Sequence, residues 1–360
     1  MKINNKYYRT IWENRDYGDI EIIDQTLLPH RFETIIVKTV NQTANIISDM
    51  NVRGAPLIGA TGAYGMCLAV RENPSNKFIE KSYELLLATR PTAINLKWGL
   101  DKIKKEILKC SEDLRLKKAY EIARTICDED VIICEKIGSY GLEIIKKLYE
   151  EKKKPINILT HCNAGWLATI DWGTATAPIY MAQKNNIPVH VWVDETRPRN
   201  QGANITSFEL KNQNIEHTVI VDNAGGHLMQ SGLVDLCIVG TDRTTFTGDV
   251  TNKIGTYLKA LAANDNNIPF YVALPSTTID WNIRDGLKDV KIEERDSNEV
   301  NYIQGLDEEN NLRSIRITPK GVKASNYAFD TTPSKFITGL ITEKGLLNPD
   351  ENSIKKAFNR

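Results

Sequence analysis

The chain has 360 residues, of which 41% are hydrophobic and 26% are charged, a composition typical of a globular protein with room for two hydrophobic cores. Lysine plus arginine and aspartate plus glutamate both number 46, so the formal net charge is zero and no global field attracts nucleic acid or an anionic membrane surface. Any anionic ligand must be bound by a local group of cations, and we expect neither nucleic acid nor a membrane as a partner.

Other features of the composition bound the compartment and the cofactors. No apolar run approaches the roughly 20 residues that cross a bilayer, and Met1–Tyr8 is too polar for a signal peptide, so we predict a cytoplasmic protein. The six cysteines include no CxxC pair, which indicates reduced thiols. The five histidines show neither HxH nor HExxH spacing, so we predict that no metal is required.

The first half of the chain is predicted to be mainly helical, with short strands at its start. Strand-like alternation covers Ile20–Leu28 and Phe32–Lys38. Apolar residues then recur at helical spacing in a series of segments, namely Thr39–Met50, Ala55–Val70, Phe78–Thr89, Ile94–Cys110 and Leu114–Leu148. A charged stretch ending at Pro155 breaks this pattern, so we predict a helical N-terminal domain over residues 1–150.

The second half, residues 151–360, alternates short β-rich runs with helical segments. The runs are Ile156–Thr160, Val189–Val193, His217–Val221, Leu236–Val239 and Phe270–Leu274. Such alternation predicts an α/β fold in which a parallel sheet is wrapped by helices, that is, a Rossmann-like C-terminal domain. The glycines at 54, 59, 62 and 65 do not form GxGxxG, so we predict close helix packing there and no bound dinucleotide or other cofactor.

Polar or reactive residues follow each of these predicted strands. Ligands of open α/β sheets bind outside the carboxyl ends of the strands. The simplest prediction is one site built from five loops, which start at His161, Asp194, Asp222, Gly240 and Pro275.

Two short segments have the chemistry of anion sites. Arg53-Gly54-Ala55-Pro56 precedes a helical run, where free backbone N–H groups and the helix dipole meet a guanidinium, although a plain helix start explains it equally well. Gly248 to Lys253 is predicted to be a glycine turn followed by Asn252 and Lys253 at the opening of a helix. Each signal is weak alone, and the pair favours a phosphate ligand.

Two side chains on the predicted rim are candidates for proton transfer. Cys162 lies between His161 and Asn163, where main-chain amides and an imidazole are expected to lower the thiol pKa, although most such cysteines are inert core residues. Asp242 follows an apolar strand, and a capping role or an ion pair with Arg243 is an equally good explanation. In the charged loop from Asp194 to Gly202, Gln201 is the predicted substrate contact.

Several strings together resemble the methylthioribose-1-phosphate isomerase family, whose relatives include the alpha, beta and delta regulatory subunits of eukaryotic initiation factor 2B. The strings are RGAPLIG, ILTHCNAG, VWVDETRPRNQGA, GTDRTTFTGDVTNKIGTY, PFYVALPSTTID and IEERDSNEV. The resemblance implies a homodimer that acts on a small sugar phosphate with a cysteine and an aspartate, which are Cys162 and Asp242 in this chain. It also implies substrate-binding positions at Arg53, Gly54, Ala55, Arg90, Gln201, Asn252 and Lys253.

The expected reaction is therefore conversion of 5-methylthioribose 1-phosphate to 5-methylthioribulose 1-phosphate in methionine salvage. The chain departs from the common family pattern at Thr241, Thr244 and Asp222–His227, which suggests 5-deoxyribose 1-phosphate as an alternative substrate. A non-catalytic regulatory subunit is a second alternative, against which the presence of Cys162 and Asp242 argues. A ribose 1,5-bisphosphate isomerase is a further alternative, but it would require another cationic cluster for the second phosphate. A thiol hydrolase built on Cys162 would leave the two anion sites without a function.

Overall fold

The structure is a computed structural model that describes residues 1–90 and 93–360. The chain starts with a two-stranded antiparallel sheet, β1 (Lys2–Ile3) and β2 (Lys6–Tyr7). An antiparallel three-stranded sheet follows, made of β3 (Ile11–Glu13), β4 (Ile20–Ile23) and β5 (Thr34–Val37). The predicted strands at the start of the chain are confirmed.

Helices make up the rest of the first half. They are α1 (Val40–Ser48), α2 (Ala55–Glu72), α3 (Asn76–Thr89), α4 (Ile94–Ile107) and α5 (Glu112–Lys152). Helix α2 is central and almost entirely buried because its small residues let neighbouring helices approach it. A Cβ atom on Gly59 would lie 2.7 Å from the carbonyl oxygen of Asn95 on α4, so the predicted role of these glycines in helix packing is confirmed at this crossing.

Helix α5 has 41 residues and joins two hydrophobic cores. Near its start, Tyr120 and Ala123 pack in the core of the helical half. Further along, Ile137 and Ile145 pack in a second core with the strands of the following sheet. The helix ends two residues beyond the boundary predicted at residue 150, and the division into two domains there stays a prediction.

A seven-stranded sheet forms the centre of the second half. Its strands are β6 (Ile156–Thr160), β7 (Val189–Asp194), β8 (His217–Ile220), β9 (Leu236–Val239), β12 (Phe270–Ala273), β17 (Gly339–Thr342) and β18 (Gly345–Leu347). Their order is β18-β17-β12-β9-β6-β7-β8, and every pairing is parallel except β17 with β18. The predicted Rossmann-like sheet is confirmed, and its order reverses between β6 and β9.

A second sheet lies beside it and has four strands in the order β13-β10-β11-β16. They are β10 (Arg243–Thr245), β11 (Val250–Lys253), β13 (Ile279–Asp280) and β16 (Phe329–Thr332). A hairpin of β14 (Tyr302–Leu306) and β15 (Leu312–Arg316) stands apart from both sheets. The four-stranded sheet was not predicted from the sequence.

Shorter helices complete the second half. They are α6 (Ala177–Lys184), α7 (Ser207–Asn212), α8 (Ala224–Gln230), α9 (Thr256–Asp265), α10 (Gly286–Asp289), α11 (Asn298–Asn301) and α12 (Glu351–Ala357). A single wide helical turn, Gly202–Thr206, leads into α7. Among the described residues, no helix is both long and apolar enough to cross a membrane.

Candidate active site

The candidate active site lies at the point where the order of the parallel sheet reverses. Cys162 follows β6 and Asp242 follows β9, and these two strands are neighbours in the sheet. Loops that leave adjacent strands in opposite directions open a crevice between them, which is where open α/β sheets bind ligands. The two predicted proton-transfer residues therefore lie on either side of this crevice.

One cavity at this point contains all of the predicted site residues. It encloses about 640 Å³, including its open mouth. The predicted residues in its wall are Cys162, Asp242, Arg53, Gly54, Ala55, Arg90, Gln201, Asn252 and Lys253. Four of the five predicted loops contribute to the wall, whereas no residue of the loop that starts at Asp222 does.

Cys162 is buried and has a left-handed backbone, with φ at +66°. Its backbone N–H donates to Thr196 Oγ1 at 2.8 Å, and its Sγ lies 4.0 Å from a guanidinium nitrogen of Arg53. Burial raises the pKa of the Cys162 thiol, while the charges of Arg53 and Lys253 act in the opposite direction. The predicted lowering of this pKa was wrong, because desolvation outweighs the nearby cations.

The imidazole of His161 serves a different function from the one predicted. Its Nε2 lies 2.8 Å from the carbonyl oxygen of Ile254, which can only accept, so Nε2 carries a hydrogen. Its Nδ1 lies 2.9 Å from Asp194, which in turn lies 3.3 Å from the ammonium of Lys259. This buried network fixes the ends of β6 and β7 beneath the site.

His161, Asp194 and Asp222 are also close enough together to be considered as metal ligands. However, both oxygens of Asp222 accept backbone N–H groups, from Thr196 and Arg197. The ammonium of Lys259 already lies 3.3 Å from Oδ2 of Asp194, the oxygen that faces His161, so a protein cation competes with a metal ion for it. Oδ1 of Asp194 has no hydrogen-bond partner among the described residues. We interpret the cluster as a hydrogen-bond network, and independence from metal stays a prediction.

Arg53 is held in the cavity wall by an amide rather than by a carboxylate. Its guanidinium donates to Asn163 Oδ1 at 2.5 Å and to the carbonyl oxygen of Asn163 at 2.9 Å. Behind this amide, the buried carboxyl of Glu209 accepts from the backbone N–H of Leu167 and the hydroxyl of Tyr180. Burial raises the pKa of Glu209 to about 7. Arg53 therefore keeps its positive charge available to a ligand.

Gly54 and Ala55 lie at the N-terminus of α2, as predicted. Gly54 has φ at +91°, and a Cβ atom there would lie 2.3 Å from the carbonyl oxygen of Ala168, so only glycine fits. Helix α2 has 18 residues, and the first backbone N–H bonded within the helix is that of Ile58. The unpaired N–H groups at its start, together with Arg53, are suited to an anion.

Asn252 and Lys253 reach the cavity from a strand rather than from the start of a helix. They end β11, and α9 begins only at Thr256, so that part of the prediction was wrong. Lys253 is buried, and no carboxylate among the described residues forms an ion pair with it within 4.0 Å. Burial lowers the pKa of Lys253. A bound anion would supply the missing counter-charge.

Asp242 is the carboxyl group of the cavity. Burial raises its pKa, and the charges of Lys253, Arg90 and Arg53 oppose this rise. Asp242 does not form the alternative ion pair with Arg243. The guanidinium of Arg243 lies 3.5 Å from Asp280 instead. A carboxyl with a raised pKa retains its proton to higher pH and can act as a general acid.

Three cavity-lining residues have a buried polar atom with no hydrogen-bond partner among the described residues. These atoms are Nε of Arg90, Oε1 of Gln201 and the hydroxyl oxygen of Thr278. Buried polar groups are normally paired, so an unpaired one in a cavity wall indicates a contact with a ligand. Gln201 was predicted as a contact, whereas Thr278 was not.

Comparison with known proteins now decides the family. The sequence pattern of the initiation factor 2 subunit family matches residues 51–349. The chain is 56% identical to methylthioribose-1-phosphate isomerase of Paramagnetospirillum magneticum and 54% identical to that of Brucella anthropi, with 99% of each chain covered. The chain belongs to the initiation factor 2 subunit family.

Solved structures of the initiation factor 2 subunit family have the same fold. The crystal structure of 5-methylthioribose 1-phosphate isomerase from Pyrococcus horikoshii is 38% identical, with a TM-score of 0.84 and coverage of 98% of this chain and 96% of that one. The structure of the delta subunit of translation initiation factor eIF-2B from A. fulgidus is also 38% identical, with a TM-score of 0.81 over 98% and 100%. Because both solved structures are 38% identical to this chain, they do not distinguish an isomerase from an initiation factor subunit. The full-length relatives at 54–56% identity are isomerases and favour that class.

The cavity of this chain also contains residues that were not predicted as site residues from the sequence. Asn163, Thr169, Thr174, Thr278 and Phe329 also line the cavity. Asn163 and Thr278 could have been found, because both follow predicted strands of the sheet. Phe329 could not, because only the pairing of β16 with β11 brings it to Lys253.

Proposed function

We propose that the protein is an aldose–ketose isomerase that converts 5-methylthioribose 1-phosphate to 5-methylthioribulose 1-phosphate. One observation carries this proposal. Every predicted catalytic and binding residue lines a single cavity at the switch point of the sheet, in a chain that is 54–56% identical to methylthioribose-1-phosphate isomerases over its full length. The step belongs to methionine salvage.

The phosphate of the sugar is expected to bind at the start of α2. The free N–H groups there, together with Arg53, Arg90 and Lys253, provide positive charge from three parts of the chain. The unpaired oxygens of Gln201 and Thr278 are then left for hydroxyl groups of the ribose. This placement uses the charged groups for the charged end of the substrate and the neutral groups for the sugar.

The chemistry starts from a ring that cannot open by itself, because the anomeric oxygen carries the phosphate. Protonated Asp242 donates its proton to the ring oxygen as the bond from C1 to that oxygen breaks. The raised pKa of Asp242 supports this role, since the carboxyl must still carry a proton near neutral pH. The carboxylate that remains is stabilised by the cations of the cavity.

Hydrogen must then move from C2 to C1. On one route the Cys162 thiolate removes the proton from C2 and returns a proton to C1. The carboxylate of Asp242 then takes the proton of the 2-hydroxyl, which gives the ketone and restores the acid. The guanidinium of Arg53, 4.0 Å from Sγ of Cys162, opposes the burial that raises the pKa of this thiol and so favours the thiolate. On the other route hydride passes directly from C2 to C1, and Cys162 acts on the hydroxyl proton. Deuterium from the solvent appears at C1 only on the first route.

Three further properties are part of the proposal. We infer a homodimer from the family resemblance and a location in the cytoplasm from the composition of the chain. We also infer that no metal or organic cofactor is needed, because the proposed steps are proton or hydride transfers within the substrate. The alternative 5-deoxy sugar was suggested by departures from the family pattern at Thr241, Thr244 and Asp222–His227. Thr241 lines the cavity, whereas Thr244 and Asp222–His227 do not. The alternative therefore depends on Thr241 and on the comparison of the two sugars below.

The experiment is turnover by purified protein with no added metal or nucleotide. We expect NMR to show ketose formed from 5-methylthioribose 1-phosphate, and a loss of at least about 1,000-fold in Cys162→Ser and in Asp242→Asn. Cys237→Ser is the matched control, because Cys237 is another buried thiol that does not line the cavity. A parallel reaction with 5-deoxyribose 1-phosphate ranks the two sugars.

Two results would contradict the proposal. Folded wild-type protein that turns over neither sugar would favour a regulatory subunit that binds a sugar phosphate without converting it. Full activity in Cys162→Ser would show that the thiol has no part in the mechanism, although the proposed isomerase activity would stand.

A further inference from the structure

Residues 292–300, IEERDSNEV, carry a motif for which the proposed function gives no role. The segment lies between α10 and β14 and does not line the active-site cavity. Its charged residues nevertheless connect to the cavity through ion pairs. Three of these residues, Glu293, Arg295 and Glu299, have side chains that are only 14–22% exposed, so the contacts are more than a solvated surface feature.

The ion pairs form a chain of alternating charge between two parts of the site. Arg90, in the cavity wall, lies 3.4 Å from Glu293, which lies 2.8 Å from Arg295. Arg295 lies 2.9 Å from Glu299, which lies 2.8 Å from Arg199 in the loop that carries Gln201. The chain thus connects the end of α3 with the loop after β7.

The link between Arg90 and Glu293 is the longest of these contacts. Glu293 has a closer partner in Arg295, at 2.8 Å. Arg90 is buried, and its Nε has no hydrogen-bond partner among the described residues. With one long contact to a carboxylate among the described residues, the buried guanidinium of Arg90 has donors available to a ligand in the cavity.

We propose that Glu293 is a positioning residue that holds Arg90 in the ligand-free protein and releases it to the phosphate of the bound sugar. The inference rests on the proposed function, because it takes the sugar phosphate as the ligand of Arg90. Arg295 makes the exchange possible, since it keeps the carboxylate of Glu293 paired when Arg90 turns to the phosphate. A carboxylate beside Arg90 competes with the phosphate for the same donors.

The exchange also affects the proposed acid. The charged groups with the largest effect on Asp242 are Lys253, Arg90, Arg53 and Glu293, and the titratable thiol of Cys162 also interacts with it. Arg90 lowers the pKa of Asp242, whereas Glu293 raises it. Removing the charge of Glu293 should therefore move the loss of activity at alkaline pH to a lower pH.

The test is binding of inorganic phosphate to the full-length protein by calorimetry at fixed ionic strength. In Glu293→Gln we expect the Kd for phosphate to fall about tenfold, because the competing charge is lost. Glu294→Gln is the matched control, since it removes the same charge from an exposed side chain one residue away. In an Arg90→Gln background, Glu293→Gln should change the Kd by less than about twofold, because the effect acts through Arg90.

Kinetics with the sugar phosphate provide a second readout. Glu293→Gln should lower KM and shift the alkaline limb of the pH profile to lower pH, which loss of a merely structural contact would not do. Unchanged or weaker phosphate binding in Glu293→Gln would overturn the proposal, and so would an equal gain in the Arg90→Gln background. If wild-type protein binds phosphate but converts no sugar, the proposed function fails while the Kd values still decide the role of Glu293.

Discussion

Replacement of Gly54 by alanine should damage the phosphate site through the backbone alone. The φ of +91° costs an alanine about 1–3 kcal/mol in strain. The new Cβ would lie 2.3 Å from the carbonyl oxygen of Ala168, whereas real Cβ atoms stay beyond 3.0 Å, so the two segments must separate by about 0.7 Å. A displacement approaching 1 Å at a substrate-positioning element costs on the order of 100-fold in rate.

We therefore expect kcat/KM for 5-methylthioribose 1-phosphate to fall between about 10- and 100-fold in Gly54→Ala, with weaker binding of inorganic phosphate. Gly232→Ala is the matched control: its φ is +68°, but a Cβ there meets no atom within 4 Å. It should lose about 1 kcal/mol of stability and no activity. If both variants kept kcat/KM within about threefold of the wild type, the close fit of α2 against Ala168 would not position the phosphate.

Further predictions concern a hydroxyl and a buried acid. Thr278→Val should raise KM about fivefold without loss of stability, since its buried hydroxyl has no hydrogen-bond partner among the described residues. Thr332→Val removes a hydroxyl that is also unpaired among those residues but lies away from the cavity, so its KM should not change. Equal KM values in the two variants would contradict the contact of Thr278 with the substrate. Burial raises the pKa of Asp130 from 3.8 to about 7, so folded protein holds a proton that the unfolded chain has lost, and stability should fall as pH rises between these values. Asp130→Asn can still accept the backbone N–H of Ile170 but does not titrate. In urea unfolding, its free energy of unfolding relative to the wild type should be up to about 4 kcal/mol higher at pH 8 than at pH 4. The same pH dependence in both proteins would contradict this reasoning.

The sequence predicted the residues on the rim of the sheet well because their positions follow from one rule. Buried β-rich runs with helices between them specify a parallel sheet, and parallel strands present their carboxyl ends at one edge. Cys162 and Asp242 each follow such a run, so their proximity did not depend on any further detail. The same rule predicted that the loop starting at Asp222 would contribute to the site. Asp222 instead accepts the backbone N–H of Thr196 and does not line the cavity.

The predictions that failed depended on contacts between distant segments. The glycine at 248 marks a turn, but whether a strand or a helix follows is decided by pairing with β16, whose residues come about 80 positions later. The thiol pKa was misjudged for a similar reason, since neighbours in sequence do not reveal burial. His161 adjoins Cys162 in the chain, yet its ring binds Asp194 and Ile254.

The electrostatics of the cavity link phosphate binding to the proposed acid. Arg53, Arg90 and Lys253 lower the pKa of Asp242. Among the described residues, neither Arg53, which donates to two oxygens of Asn163, nor Lys253 has a carboxylate partner. A phosphate dianion bound by these cations would neutralise much of their charge and add its own, so the pKa of Asp242 must rise further when substrate is bound. The alkaline limb of kcat should then lie at higher pH than that of kcat/KM. On this reasoning, the substrate's phosphate strengthens the hold of Asp242 on the proton that opens the ring.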